Sequence, residues 1–127
     1  MAVARSFREL DVYRRAFDAA MEVHRLSQTF PKEEQYAPTD QVRRSSRFVC
    51  ANIAEAWRKR RYVRAFTSKL SDADSEAAET LVWLEFALHL NFVDAPTYKR
   101  LADTYDHAGA QLTNMITHAN DWCPNHA

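Results

Sequence analysis

The sequence predicts an all-α protein, a single antiparallel up-down-up-down four-helix bundle, and three observations carry that reading. Apolar side chains recur at steps of three and four along four long stretches, the spacing of one helical face. The chain holds only one Gly and four Pro, too few turn-formers for the many short strands of a sandwich or barrel. Its 127 residues give room for one domain and not comfortably for two. The helices are expected at about 7–29, 39–59, 62–90 and 95–120, all within one domain spanning 1–127.

The first helix is expected to begin at Ser6-Phe7-Arg8-Glu9, because a Ser followed three residues later by Glu can satisfy two orphan N–H groups reciprocally. Leu10, Tyr13, Phe17, Ala20, Met21 and His24 form one apolar row. Val12, Ala16, Ala19, Val23 and Leu26 form a second beside it, which implies a helix with more than one neighbour. Phe30-Pro31 ends the helix, since the residue before Pro is pushed out of the α region. Residues 31–38 read as a connector, and Thr39 or Asp40 is expected to cap the second helix.

Helix two places Val42, Ser46, Val49, Ile53, Ala56 and Trp57 inward. Its small residues Ser45, Ser46, Ala51 and Ala54 allow another helix to approach closely. The run Arg58-Lys59-Arg60-Arg61 breaks the apolar pattern and marks a bend. Helix three has the clearest period: Phe66, Leu70, Ala73, Ala77, Leu81, Leu84 and Leu88 make a core seam over about six turns. Trp83, Phe86, Ala87 and Leu90 add a second apolar surface. Asn91-Phe92-Val93-Asp94 is a short turn, with Asp94 as N-cap and Pro96 tolerated in the first turn of helix four. That helix turns Tyr98, Leu101, Ala102, Tyr105, Ala108, Leu112, Met115, Ile116 and Ala119 inward. Gly109 lies within it at a cost of about 1 kcal/mol relative to Ala, which a close helix crossing would account for. The tail DWCPNHA is expected to be frayed.

Composition narrows the function classes. Hydrophobic residues make up 46% and charged residues 27%, ordinary for a soluble globular protein. The opening MAVARSFRELDVYRRAF is charged throughout, and no apolar run approaches the roughly 20 residues of a membrane span, so a cytoplasmic protein is expected. Cys50 and Cys123 belong to no CxxC pair and read as unpaired thiols; Arg47, three residues before Cys50, leaves a reactive thiol as the alternative. His24, His89, His107, His118 and His126 provide no HxxxH or ExxH pair, and His118, Cys123 and His126 make three ligands where structural zinc needs four. Asp72, Glu76 and Glu79 share one side of helix three but are flanked by Ser71, Asp74 and Ser75, which reads as a solvated face. Without a Gly-rich phosphate loop or a nucleophile beside a His and an acid, no enzyme activity, metal or cofactor is expected.

Net charge is zero, yet residues 1–70 contain 15 Lys/Arg against 8 Asp/Glu while residues 71–127 contain 2 against 9. A chain so divided pairs its halves within a fold, pairs them between copies, or offers a basic face to an anion. The candidate nucleic-acid-binding residues are Arg43, Arg44 and Arg47 on helix two and Arg58, Lys59, Arg60, Arg61 and Arg64 around the bend, with Trp57 and Tyr62 as stacking faces. The competing reading makes these cations solvated helix ends or partners for the acids of helix three.

Three stretches carry a family resemblance: FRELDVYRRAFDAAMEVHRLSQTFPKEEQY, TDQVRRSSRFVCANIAEA and AFTSKLSDADSEAAETLVWLEFAL. Together, over roughly residues 7–119, they resemble the bacterial four-helix bundle proteins of the 23S rRNA intervening-sequence family. The most specific pieces are Gln41-Val42-Arg43-Arg44 and Asn52-Ile53-Ala54-Glu55. The family normally continues the latter with Gly, where this chain has Ala56, and its usual Pro within helix two is absent here. The resemblance implies an up-down-up-down bundle assembling as a homopentamer, with Asn52 and Glu55 as polar residues tying helices or subunits together. The chain is also similar to the accessory variability proteins of diversity-generating retroelements, which are markedly basic pentamers that contact a reverse transcriptase and nucleic acid.

The expected function is therefore a non-enzymatic, self-assembling scaffold or adaptor, a homo-oligomer and by resemblance a homopentamer, whose Arg-rich bend touches RNA or an RNA-bound protein. The alternative is a regulatory protein–protein interaction module with no nucleic-acid role, its exposed apolar patch meeting another chain.

Overall fold

Ser6 and Glu9 do form the expected capping box: Ser6 Oγ accepts from the Arg8 N–H at 3.2 Å, and Glu9 Oε2 accepts from the Ser6 N–H at 3.0 Å. In the computed structural model, which describes residues 4–124, that box caps only a short 3-10 turn, Phe7–Glu9. At Leu10 a ψ of 130° takes the chain out of helical geometry and lets the Leu10 side chain enter the core. The first long helix, α1, accordingly spans Asp11–Ser27. Of its two apolar rows, Val12, Ala16, Ala19 and Val23 are buried, whereas Phe17 and Met21 face outward.

The connector contains a 3-10 turn at Lys32–Glu34 and a π-type turn at Gln35–Thr39, interrupted by extended Ala37 ahead of a cis Ala37–Pro38 bond. Helix α2 spans Asp40–Arg58. Neither Thr39 nor Asp40 caps it, contrary to expectation. Thr39 is itself helical (φ −57°, ψ −57°), and its buried hydroxyl has no hydrogen bond among the described residues. Asp40 instead sits in the first turn, where a negative charge complements the helix dipole.

Helix α3 spans Val63–His89, α4 spans Ala95–Thr117, and a single turn, α5, spans Ala119–Trp122. Asp94 caps α4 as its sequence position predicts, accepting from the Thr97 N–H at 2.8 Å. Asn91 takes positive φ (63°) in the turn before it, a conformation Asn tolerates better than most side chains. Among the described residues no strand occurs. Successive long helices pack against one another, α1 on α2, α2 on α3 and α3 on α4, and α4 closes the ring on α1. This is the antiparallel four-helix bundle.

The seam between α2 and α3 is the most extensive, and small side chains explain why. Ser45 and Thr80 meet there, hydroxyl oxygens 2.8 Å apart, both fully buried. Thr80 and Ala87 are as fully buried as Phe66, Leu70, Ala73 and Leu84, while Leu81 and Leu88 of the expected seam are only partly buried. Aromatic pairs close both ends of the bundle. Phe30 meets Phe92 with ring centroids 5.5 Å apart, and Trp57 and Trp122 meet in a T-shaped pair at 6.4 Å. The second pair corrects the expectation of a frayed tail: Trp122 is held against Trp57, and Ala119 and Cys123 are buried. The last three residues of DWCPNHA, His126 among them, lie outside the described residues.

Candidate functional site

The basic bend begins where α2 runs out. The Lys59 N–H closes the last turn on the Glu55 and Ala56 carbonyls, and the Tyr62 N–H returns to the Lys59 carbonyl at 3.0 Å. Four cationic side chains are thereby crowded into one reversal. Arg60 folds back: its Nε donates to the Trp57 carbonyl at 2.8 Å, and its guanidinium carbon lies 3.5 Å from the Trp57 ring centroid. Arg58, Lys59, Arg61 and Arg64 are exposed. Among the described residues none of these five cations has an ion-pair partner. The acids of α3 therefore do not neutralise the bend.

Because α1 starts where α2 ends, the bend meets the beginning of the chain. Arg5, Phe7, Trp57, Arg58, Arg60 and Arg61 line a recess of about 450 Å³, with Ser6 and Pro124 completing it. Arg5 was invisible as a site residue because more than fifty positions separate it from Arg58. The antiparallel topology alone brings them together. Trp57 cannot serve as a stacking face, as the sequence suggested it could. It is 5% exposed, covered by Arg60 on its ring face and by a T-shaped contact with Trp122. Tyr62, 63% exposed, keeps that capacity.

The other three candidate arginines stand apart. Arg43, Arg44 and Arg47 lie 11 to 15 residues before Arg58, roughly 16–22 Å along the axis at the α-helical rise. Each is already engaged. Arg43 Nε donates to Ser27 Oγ at 2.6 Å, and Arg47 lies 3.1 Å from His24 Nδ1. Arg44 pairs with Glu79 at 3.7 Å and covers the Phe48 ring at 5.0 Å. They fasten α2 to α1 and α3 rather than extend the basic bend.

Asn52 and Glu55, the two family-motif positions, also face α3. Glu55 pairs with Lys69 at 2.9 Å, and that ammonium holds its carboxyl below the usual range. Asn52, 9% exposed, borders a groove with Arg44, Phe48, Asp72, Ser75 and Glu76. Burial, with Glu79 nearby, pushes the Glu76 carboxyl above its ordinary value. Glu79 itself faces Arg44, so this acidic side of α3 is partly paired rather than wholly solvated.

Two apolar strips remain on the surface. On α1, Phe17 (46% exposed) stacks on Tyr13 at 6.0 Å, with Met21 one turn on. On α3, Val82 and Phe86 (54% exposed) follow one another down the outer face, with Leu90 just past the helix end. With Glu85 and His89, Val82 and Phe86 line a shallow recess. In the ring of helices α1 and α3 stand diagonally, so the two strips face away from each other.

Burial raises the Cys50 thiol to about 11, which removes the reactive-thiol alternative: Arg47 turns to His24 instead. Cys123 is raised too, by burial, against the opposing pull of Arg60. Among the described residues no three His, Cys, Asp or Glu side chains are grouped to hold a metal ion. Nor, among them, is any helix long and apolar enough to cross a membrane.

The family model described as 23S rRNA-intervening sequence protein matches residues 8–114. A solved structure from Bacteroides thetaiotaomicron VPI-5482, described as a protein with unknown function from the S23 ribosomal protein family, superposes with a TM-score of 0.76. It is 24% identical and covers 84% of this chain and 95% of its own. At that identity the likeness is one of fold. No curated protein matches the chain.

Proposed function

The chain belongs to the 23S rRNA-intervening sequence protein family, and on that premise we propose that it is a non-enzymatic assembly unit whose copies join head to tail. The observation that carries this reading is the pair of exposed apolar strips, Phe17–Met21 on α1 and Val82–Phe86–Leu90 on α3. Large apolar groups left together in water favour burial against another surface. Strips on diagonal helices cannot meet their own kind and close a pair with both satisfied. They suit a heterologous contact, strip one of each copy on strip two of the next, which makes a closed ring when the rotation from copy to copy closes. Five copies per ring is the number the family resemblance implies.

The contact is tested by breaking one strip at a time. F17E and F86E should each be monomeric by light scattering, because each lacks one half of the joint. Mixed in equal amounts they should form a one-to-one dimer, the intact α1 strip of F86E meeting the intact α3 strip of F17E. An F86E protein that dimerises by itself would overturn the head-to-tail scheme.

The assembly presents its basic bends to RNA. Support comes from five cations, Arg58, Lys59, Arg60, Arg61 and Arg64, that have no ion pair among the described residues. Binding of a single-stranded RNA should weaken steeply with salt as counterions are no longer released. It should fall further when Arg58, Arg60 and Arg61 are replaced by Glu. A strand that binds equally well to that triple variant would sink the RNA reading and leave a purely protein-binding role.

A further inference from the structure

We propose that the recess between the N-terminal turn and the α2–α3 link is a binding site for a phosphate group. Its cations come from three separate places in the chain: Arg5 before the 3-10 turn, Arg58 in the last turn of α2, and Arg60 and Arg61 in the link. Among the described residues no carboxylate lines it. Four guanidinium groups around one concavity repel one another, and an anion between them turns that repulsion into attraction. Guanidinium is also the side-chain group whose planar fork of N–H donors matches phosphate oxygens.

Arg60 supplies the fixed wall. Held by the Trp57 carbonyl and the indole face, it loses little further freedom when a ligand arrives. Arg5, Arg58 and Arg61 are exposed and free to close. The volume, about 450 Å³, falls within the range of small-ligand sites. Phosphate chemistry has two sources here, a free phosphate or nucleotide and the backbone or end of a nucleic-acid strand. Only the second source rests on the RNA reading above.

The experiment follows the arginine Nε–Hε resonances of the full-length protein by NMR. The Arg60 signal is identified by its loss in R60K and should be displaced by the ring current of Trp57. Inorganic phosphate is titrated first, at ionic strength held constant with chloride. A short single-stranded RNA follows, with and without a 5′-phosphate. Phosphate should move the Arg60 signal saturably, and R58Q/R61Q should weaken that response about tenfold while helicity and melting temperature stay unchanged. A strand that acts at much lower concentration than phosphate identifies nucleic acid as the source. Equal potency identifies the free anion, ends the RNA reading and leaves the site standing. The proposal is overturned if no probe moves Arg60, if R58Q/R61Q responds like the parent, or if RNA binds while the recess signals stay still.

Discussion

The Arg60 guanidinium lies 3.5 Å from the centre of the Trp57 ring and, through Nε, donates to the carbonyl of that same residue. One side chain thus caps the end of α2 and covers the aromatic plug at that end of the bundle. Removing it uncovers both. R60A should lower stability by about 1–2 kcal/mol, from a lost cation–π contact and a lost hydrogen bond to a helix-terminal carbonyl. R60K should recover part of the loss, since ammonium retains the charge but not the flat stack. Urea denaturation reads both, and an unchanged midpoint for R60A would contradict the contact.

Tyr105 is fully buried, and among the described residues its hydroxyl has no hydrogen-bond partner. Burial raises its pKa far above the ordinary phenol range. Deleting an unpaired buried hydroxyl removes a desolvation cost without removing a bond. Y105F should therefore be neutral or stabilising by up to about 1 kcal/mol. A loss above that size would mean the hydroxyl has a partner in solution.

Gly109 faces the α3 surface, where a methyl group would come 3.1 Å from Asp74 Oδ1. That atom ends an exposed side chain and can swing away. G109A should stabilise α4 by roughly 0.5–1 kcal/mol through helix propensity, a rise of a few degrees in Tm. The close crossing expected from the sequence is one of side-chain tip rather than backbone. A fall in Tm would show that Asp74 is held in place.

Cys50 is buried, with its Sγ 3.9 Å from the Ser46 carbonyl, and burial raises it from 9.0 to about 11. Only thiolate attacks disulfides. In a C123S background, native Cys50 should react with an aromatic disulfide at pH 8 at least about tenfold more slowly than in urea. Because the folded state favours the neutral thiol, its contribution to stability is complete below pH 9 and is lost as pH rises from 9 towards 11. Fast native labelling would contradict both statements.

The bundle was legible in the sequence because three-and-four stepping is a local signal. Val12, Ala16 and Val23 or Phe66, Leu70 and Leu84 announce their burial without reference to the rest of the chain. Which of two apolar rows on α1 turned inward was not local: it depended on where α2 and α4 lay. The same limit governs the basic site. The bend at Arg58–Arg61 was visible as a charge run, but its union with Arg5 needed the topology. The loss of Trp57 as a stacking face depended on Trp122, 65 residues away. Arg43, Arg44 and Arg47 looked like members of one basic set because sequence shows neither helix length between groups nor the Ser27, Glu79 and His24 partners that occupy them.

Whether the Phe17–Met21 and Val82–Phe86–Leu90 strips join copies is tested most directly by the native mass of the unmodified protein. Sedimentation velocity across a hundredfold concentration range should give a closed species of five chains, five times 14.7 kDa, that shifts to a single chain in F86E. A parent protein that sediments as one 14.7 kDa chain at every concentration would contradict the account.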